Sequence, residues 1–314
     1  MIDFRYHLVS IISIFLALAV GIVLGAGPLQ GNLGSQLTEQ VASLRAEKQD
    51  LNDQLAASEA RVAAGNELAQ AVSGRVTQGR LTGHEVVAIV LPSADGTLVD
   101  RTEEAVAASG ATLSATITID AEWFDPSREK ERADAAATAA ATLGLTSTVT
   151  GDGLLAQVLA RLAVRTELVT ASESRTAALA VLRDAGLVNS SVDQLAPADL
   201  AVIVSGEYTG TKDQVDRRSA MVRGLAQELA AGSNGALVVG TEPARVAEPQ
   251  IASDAVSAVR EDRDTARVIS TLDHGDAPSG ATLIVLALED ELRGQVGHYG
   301  TGDGATAQVP RVIQ

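Results

Sequence analysis

MIDFRYHLVSIISIFLALAVGIVLGAGPLQ, residues 1–30, opens the chain with the apolar run that decides its architecture. Between Leu8 and Gly27 there is no charged side chain and nothing more polar than Ser10 and Ser13. At ~1.5 Å of rise per residue, roughly 20 such residues cross a ~30 Å hydrocarbon core as one helix. The remainder of the 314-residue chain has the composition of a water-soluble protein. The expectation is therefore a soluble body tied to a membrane by one N-terminal helix.

The run exceeds the roughly 7–15 apolar residues of a cleaved signal peptide, and bulky Leu24 and Pro28 spoil the small-x-small site around Gly25. A retained anchor fits better. Arg5 precedes the span and Glu39 is the first charge beyond it. That sparse asymmetry favours residues 1–7 in the cytoplasm, a transmembrane helix over 8–27 and the bulk outside, in the cell envelope. Ser13, Ala17, Gly21 and Gly25 form a small-residue stripe along the span. Such a stripe lets two helices approach closely in lipid, and it equally fits the ordinary composition of membrane helices.

Gly27, Pro28, Gly31 and Gly34 read as a breaker region that uncouples the span from the segment beyond it. A heptad pattern then begins. Leu37, Leu44 and Leu51 occupy successive a positions, and Val41, Lys48, Leu55 and Val62 successive d positions. Ser58, Gly65 and Ala69 weaken the seam further on. This pattern predicts a coiled-coil stalk over 35–78, as a parallel homodimer or as a helix folded back on its own globular domain. Gly79 and Gly83 mark its end.

From His84 the period changes. Val86–Leu91, Thr112–Ile119, Leu200–Val204 and Ala236–Val239 read as strands. Leu98–Ser109, Arg128–Leu143, Leu154–Val164, Glu173–Ala185 and Lys212–Ala231 read as helices. Ile251–Arg260 is expected to be a helix, Arg267–Ser270 a strand, and Thr282–Leu288 either one. The alternation predicts a Rossmann-like α/β domain over 84–314 with a mainly parallel sheet, as one body or as two lobes meeting near 166–172.

The formal net charge of −16, with no basic cluster, argues against a nucleic-acid partner. No cysteine is present, which excludes disulfides, thiolate metal sites and a cysteine nucleophile. The turn after the first strand, Pro92-Ser93-Ala94-Asp95-Gly96, lacks GxGxxG, and no GxxxxGK[ST], GxSxG or HExxH occurs. The expectation is a protein that is not an enzyme, with no certain cofactor. Asp273-His274-Gly275-Asp276 combines two carboxylates and an imidazole, a weak candidate for a cation site and equally a polar turn. Gly297–Gly304 is glycine-dense, so its amides could approach a ligand or a partner backbone, and its His298 is a further candidate metal ligand; the segment otherwise reads as a flexible loop or tail. The four histidines are scattered and read as surface or loop residues. Trp123-Phe124, ahead of Asp125-Pro126, reads as a contact point or a local apolar plug.

One family resemblance covers the chain from end to end. Arg5-x-His7-x-Val9-Ser10, Phe15-Leu16-Ala17-Leu18 and Gly21-x-Val23-Leu24-Gly25 ahead of a heptad segment resemble the start of the actinobacterial MctB family. Ile269-Ser270-Thr271-Leu272-Asp273, the Thr282–Leu288 run and Gly297-His298-Tyr299-Gly300 resemble its end. The resemblance implies a cell-envelope protein of a high-GC Gram-positive bacterium with a role in copper efflux or an envelope channel. Relatives have also been linked to cell separation, as membrane-anchored regulators of cell-wall hydrolases. The residues sit uneasily with copper binding: copper(I) prefers sulfur and copper(II) imidazole, and the chain holds only Met1, Met221 and dispersed histidines. The alternative reading is a dimeric, membrane-anchored scaffold whose outer domain binds an envelope protein.

Overall fold

The computed structural model describes residues 4–165, 171–241 and 250–311, with 26–36 given as helical backbone. The lobe boundary expected near 166–172 falls largely outside the described residues. Two compact units are present, Met1–Gly65 and Asn66–Gln314.

The first unit belongs to one long helix, α1 (Phe4–Thr77). Its Phe4–Gly25 stretch, with a mean hydropathy of 2.8, is long and apolar enough to cross a membrane. The breaker expected at Gly27, Pro28, Gly31 and Gly34 does not end the helix, because α1 runs through it into the heptad segment. A proline withdraws one backbone hydrogen bond. In a long helix the turns on either side keep theirs, and cooperative propagation outweighs that local loss. Leu37, Val41, Leu44, Leu51, Leu55 and Val62 are all exposed, at 44–63%. Beyond Thr77 the chain turns through Gly79 and Gly83, both at left-handed φ (79° and 85°), where the sequence marks the end of the helix.

The second unit is built on a seven-stranded sheet. Its strands are β1 (Glu85–Val90), β2 (Thr112–Ile119), β3 (Val188–Ser190), β4 (Leu200–Val204), β6 (Gly235–Val239), β8 (Ser270–Leu272) and β9 (His298–Tyr299). The order is β3-β2-β1-β4-β6-β8-β9. Every neighbouring pair is parallel except β2–β3. A separate antiparallel pair joins β5 (Tyr208–Gly210) to β7 (Ile251–Ser253). The helices are α2 (Gly96–Ala108), α3 (Glu129–Leu143), α4 (Gly151–Ala163), α5 (Ser172–Asp184), α6 (Lys212–Gly232), α7 (Ala255–Arg260) and α8 (Gly280–Leu292).

Strand side chains alternate between two cores. Val86, Val202, Leu237 and Leu272 share one core with Leu98 and Val106 of α2 and Ile284 and Leu288 of α8. Val87, Ile89, Ile203 and Val238 share the other with Leu155 and Leu159 of α4 and Val222 and Leu225 of α6. The result is a three-layer α/β/α arrangement. β4 and β6 are buried on both faces, the reason they read as unbroken apolar runs rather than alternating ones. The end of α1 and the turn after it, both within this second unit, dock on α8. Ser73 Oγ lies 2.7 Å from Thr282 Oγ1, and Arg80 Nη1 donates to Glu289 Oε2 at 2.6 Å.

Several local expectations are corrected. Ile251–Arg260 is not one helix: Ile251–Ser253 pairs as β7, and α7 starts only at Ala255. Asp254 accepts from the Ser257 amide at 2.7 Å and so caps the helix there. The strand expected at Arg267–Ser270 is displaced to Ser270–Leu272, because Thr265–Arg267 forms a 3₁₀ turn. Thr282–Leu288 lies inside α8. The Gly297–Gly304 segment is not a loose tail, since His298 and Tyr299 form the edge strand β9. β3, β5 and β9 have only two or three residues each, too short for any periodicity to reveal.

Candidate functional site at the carboxyl edge of the sheet

In a parallel sheet every strand ends on the same edge, and loops leaving that edge converge. β8 leaves it at Asp273, whose side chain is 4% exposed. Asp273 Oδ2 accepts from Arg260 Nη1 at 2.6 Å and from the Gly302 amide at 2.9 Å. Its Oδ1 accepts from the Thr301 amide at 3.0 Å and bonds His274 Nδ1. Burial by itself would raise this carboxyl. Arg260, His274 and the two amides outweigh it and hold Asp273 below the ordinary carboxylate range. Gly300 makes the loop possible: its φ is +124°, and a Cβ there would collide with the Asp273 carboxylate.

Arg260, at the end of α7, is satisfied along its whole fork. Nε donates to Thr271 Oγ1 at 2.8 Å, Nη2 to the Tyr299 carbonyl at 2.7 Å, and Nη1 also to the Asp303 carbonyl at 3.3 Å. Thr271 Oγ1 passes the chain on to His298 Nδ1 at 3.0 Å. His298 Nε2 faces the Ala266 carbonyl at 3.0 Å. A carbonyl only accepts, so Nε2 carries the ring proton and Nδ1 accepts from the threonine hydroxyl. His298 is buried rather than a surface residue, and burial together with Arg260 holds its pKa below that of a free imidazole. Both ring nitrogens are occupied within the fold.

The sequence candidates thus divide. Asp273 and His274 come together, and His274 Nε2 lies 3.3 Å from Thr301 Oγ1. Asp276 is exposed, and its backbone carbonyl accepts from Arg101. His298 belongs to the Thr271–Ala266 chain instead. Among the described residues, no three His, Cys, Asp or Glu side chains assemble as a metal-holding group. The sequence reading missed Arg260 and Thr271, the two residues that tie β8, β9 and α7 together. The glycines at 297, 300, 302 and 304 carried the available signal, since that density fits a loop closing on something bulky. Beside this clasp lies a cavity of about 540 Å³ lined by Thr241, Asp254, Arg260, Asp273, Thr301 and Asp303. Burial raises the pKa of Asp254 above its ordinary value.

The arrangement defines a class: an α/β domain with a clasped C-terminal strand, preceded by a long helix whose start is long and apolar enough for a membrane. Comparison narrows it, and the chain belongs to the MctB family. A family model described as "Copper transport outer membrane protein, MctB" matches residues 1–310. The copper transporter MctB of Mycobacterium tuberculosis is 29% identical over 314 residues, covering 97% of this chain and 98% of its own. The copper transporter MctB of Mycobacterium leprae is 30% identical over 329 residues, covering 98% of each.

Proposed function

We propose that the protein is a non-enzymatic, single-span protein of the cell envelope that takes part in copper transport or efflux, as the names of its relatives indicate. The similarity over nearly the whole chain carries this reading. Copper is its cargo here, not a resident cofactor. Asp273, His274 and His298 are already bonded within the fold, which favours an accessory role over a pore built from this domain. The N-terminal helix anchors the chain in the plasma membrane, and the strand order supports a Rossmann-like domain on the far side. The test is cell-associated copper in a deletion strain and in the same strain carrying the gene back. Copper that rises on deletion and returns on complementation supports the role; unchanged copper overturns it.

A second reading is a dimeric scaffold for an envelope protein partner. The exposed apolar seam Leu37, Val41, Leu44, Leu51 and Leu55 favours it, together with Gly21 and Gly25 in the span. Light scattering on the full chain in nanodiscs should give two copies, falling to one when Leu44 and Leu51 become Asn. One copy for the unaltered chain would sink this reading.

A further inference from the structure

The strand order reverses between β1 and β4: the chain moves outward through β2 on one side and through β6 on the other. In open α/β sheets the crevice above such a reversal, at the carboxyl ends, is where ligands settle. The loops after β1 and β4 are bridged there, Ala94 to Gly206, and a cavity of about 520 Å³ opens on the same edge, walled by the segment after β2 (Ala121, Phe124, Asp125, Pro126) and by β5 and the start of α6. Its volume is of small-molecule size.

Arg218 lines this cavity in a setting unlike that of Arg260. Its guanidinium carbon lies over the Phe124 ring, 4.7 Å from its centre, and over the Tyr208 ring, 4.5 Å from its centre. Nη2 makes one long bond, 3.3 Å, to the Pro92 carbonyl just past β1, and Nε is buried with no hydrogen-bond partner. Among the described residues it has no carboxylate within ion-pair distance, although the chain carries 40 Asp and Glu against 24 Lys and Arg. Burial lowers its pKa from the ordinary value, so the fold partly desolvates this charge without supplying a counter-ion. Ring faces attract the cation but supply no counter-charge, which leaves a guanidinium suited to an anionic partner.

The other charges on the cavity wall fix the class of that partner. Asp125 and Asp213 line it, with Arg217 as the second cation. Asp125 is occupied by the amide and hydroxyl of Ser127, each at 2.8 Å. With two carboxylates and two guanidinium groups on one lining, a dianion meets more repulsion than a single planar carboxylate does. Phe124, Pro126 and Val215 offer apolar surface for the carbon skeleton attached to it.

We propose that this cavity binds a monoanionic carboxylate, paired edge-on with the guanidinium of Arg218, from a small organic acid or from the C-terminus of a short peptide. The site is separate from the Arg260–Asp273 clasp, and the proposal is independent of the copper role. The experiment is calorimetric titration of the full chain in nanodiscs with propionate, tri-alanine, tri-alanine amide and inorganic phosphate. Propionate or tri-alanine should bind, and the amide should not. Propionate binding alone assigns a free acid, while tighter binding of tri-alanine assigns a peptide terminus. Arg218→Met should weaken binding at least about tenfold, the equivalent of one charge-assisted hydrogen bond. Arg218→Lys, which keeps the charge but not the fork, should also weaken it. Phe124→Leu, which keeps the cation and removes one stacking face, serves as a second variant and should weaken it less. Heat from phosphate alone, equal binding of acid and amide, equal affinity in Arg218→Met, or no heat with either carboxylate would each overturn the proposal.

Discussion

Two arginines stand on the same edge of the same sheet, and the fold treats them in opposite ways. Arg260 is enclosed by a carboxylate, a hydroxyl and two carbonyls, and through them it ties the edge strand and the C-terminal loop to β8. Arg218 is enclosed by two aromatic rings and has a buried Nε without a partner. The contrast separates a buried charge that organises its surroundings from one that its surroundings merely hold. In the first case the pairing groups are internal and their removal must damage the fold. In the second, any pairing group comes from outside, and removal leaves the fold nearly as stable.

The sharpest break of this comparison is Asp273→Ala. It leaves the Arg260 guanidinium buried without its counter-charge and frees the 300–304 loop, and should cost about 3–5 kcal/mol. Urea unfolding of the full chain in detergent, followed through the single tryptophan, Trp123, measures it. A loss below about 1 kcal/mol would show that the clasp is not what holds β9 in place.

Glu291 provides an intermediate case at the opposite edge of the sheet. Its Oε1 accepts from the Ser270 amide at 2.8 Å, yet burial pushes its pKa up to about 7 from an ordinary 4.5. A carboxyl whose folded pKa is raised contributes full stability below pH 4.5 and loses it as pH rises through 7. The loss amounts to about 3 kcal/mol at ~1.4 kcal/mol per pH unit. Glu291→Gln keeps the accepting oxygen and removes the titration. It should flatten the stability profile between pH 4.5 and 7, and an unchanged slope in urea midpoints would refute this assignment.

The smallest effect is expected at Arg218. Arg218→Met keeps the aliphatic packing and removes a partly desolvated cation that has no carboxylate. Ring stacking lost and desolvation relieved should nearly cancel, leaving stability within about 1 kcal/mol of the parent. A loss matching that of Asp273→Ala would place Arg218 among the structural charges and erase the distinction.

Much of this fold was readable from local pattern. Thr112–Ile119 and Leu200–Val204 match their strands residue for residue, and Lys212–Ala231 falls one residue short of α6. Strong signals came from long β-branched runs and from helices closed by glycine. The misreadings at Ile251–Arg260 and Arg267–Ser270 share one cause: β7 and β8 have three residues each, and their identity depends on a partner strand distant in sequence. The candidate site was legible only in part. Asp273 and His274 were marked by their chemistry, whereas Arg260 was hidden in an apolar helical run. Arg218 left a faint trace, a cation in register with Val215 and Val222 on the buried stripe of α6.

The sequence alone determined the apolar N-terminal span, the heptad segment after it and the α/β alternation of the rest. These come from hydrophobic period and length, which are local properties. Tertiary structure decided which charges are paired. It brought Arg260, Asp273 and the 299–303 segment together on one strand edge, and set Arg218 between two rings from different elements. Such choices are made by contacts between residues far apart in the chain, where burial turns an ordinary side chain into a costly one and only the folded neighbourhood supplies, or withholds, its partner.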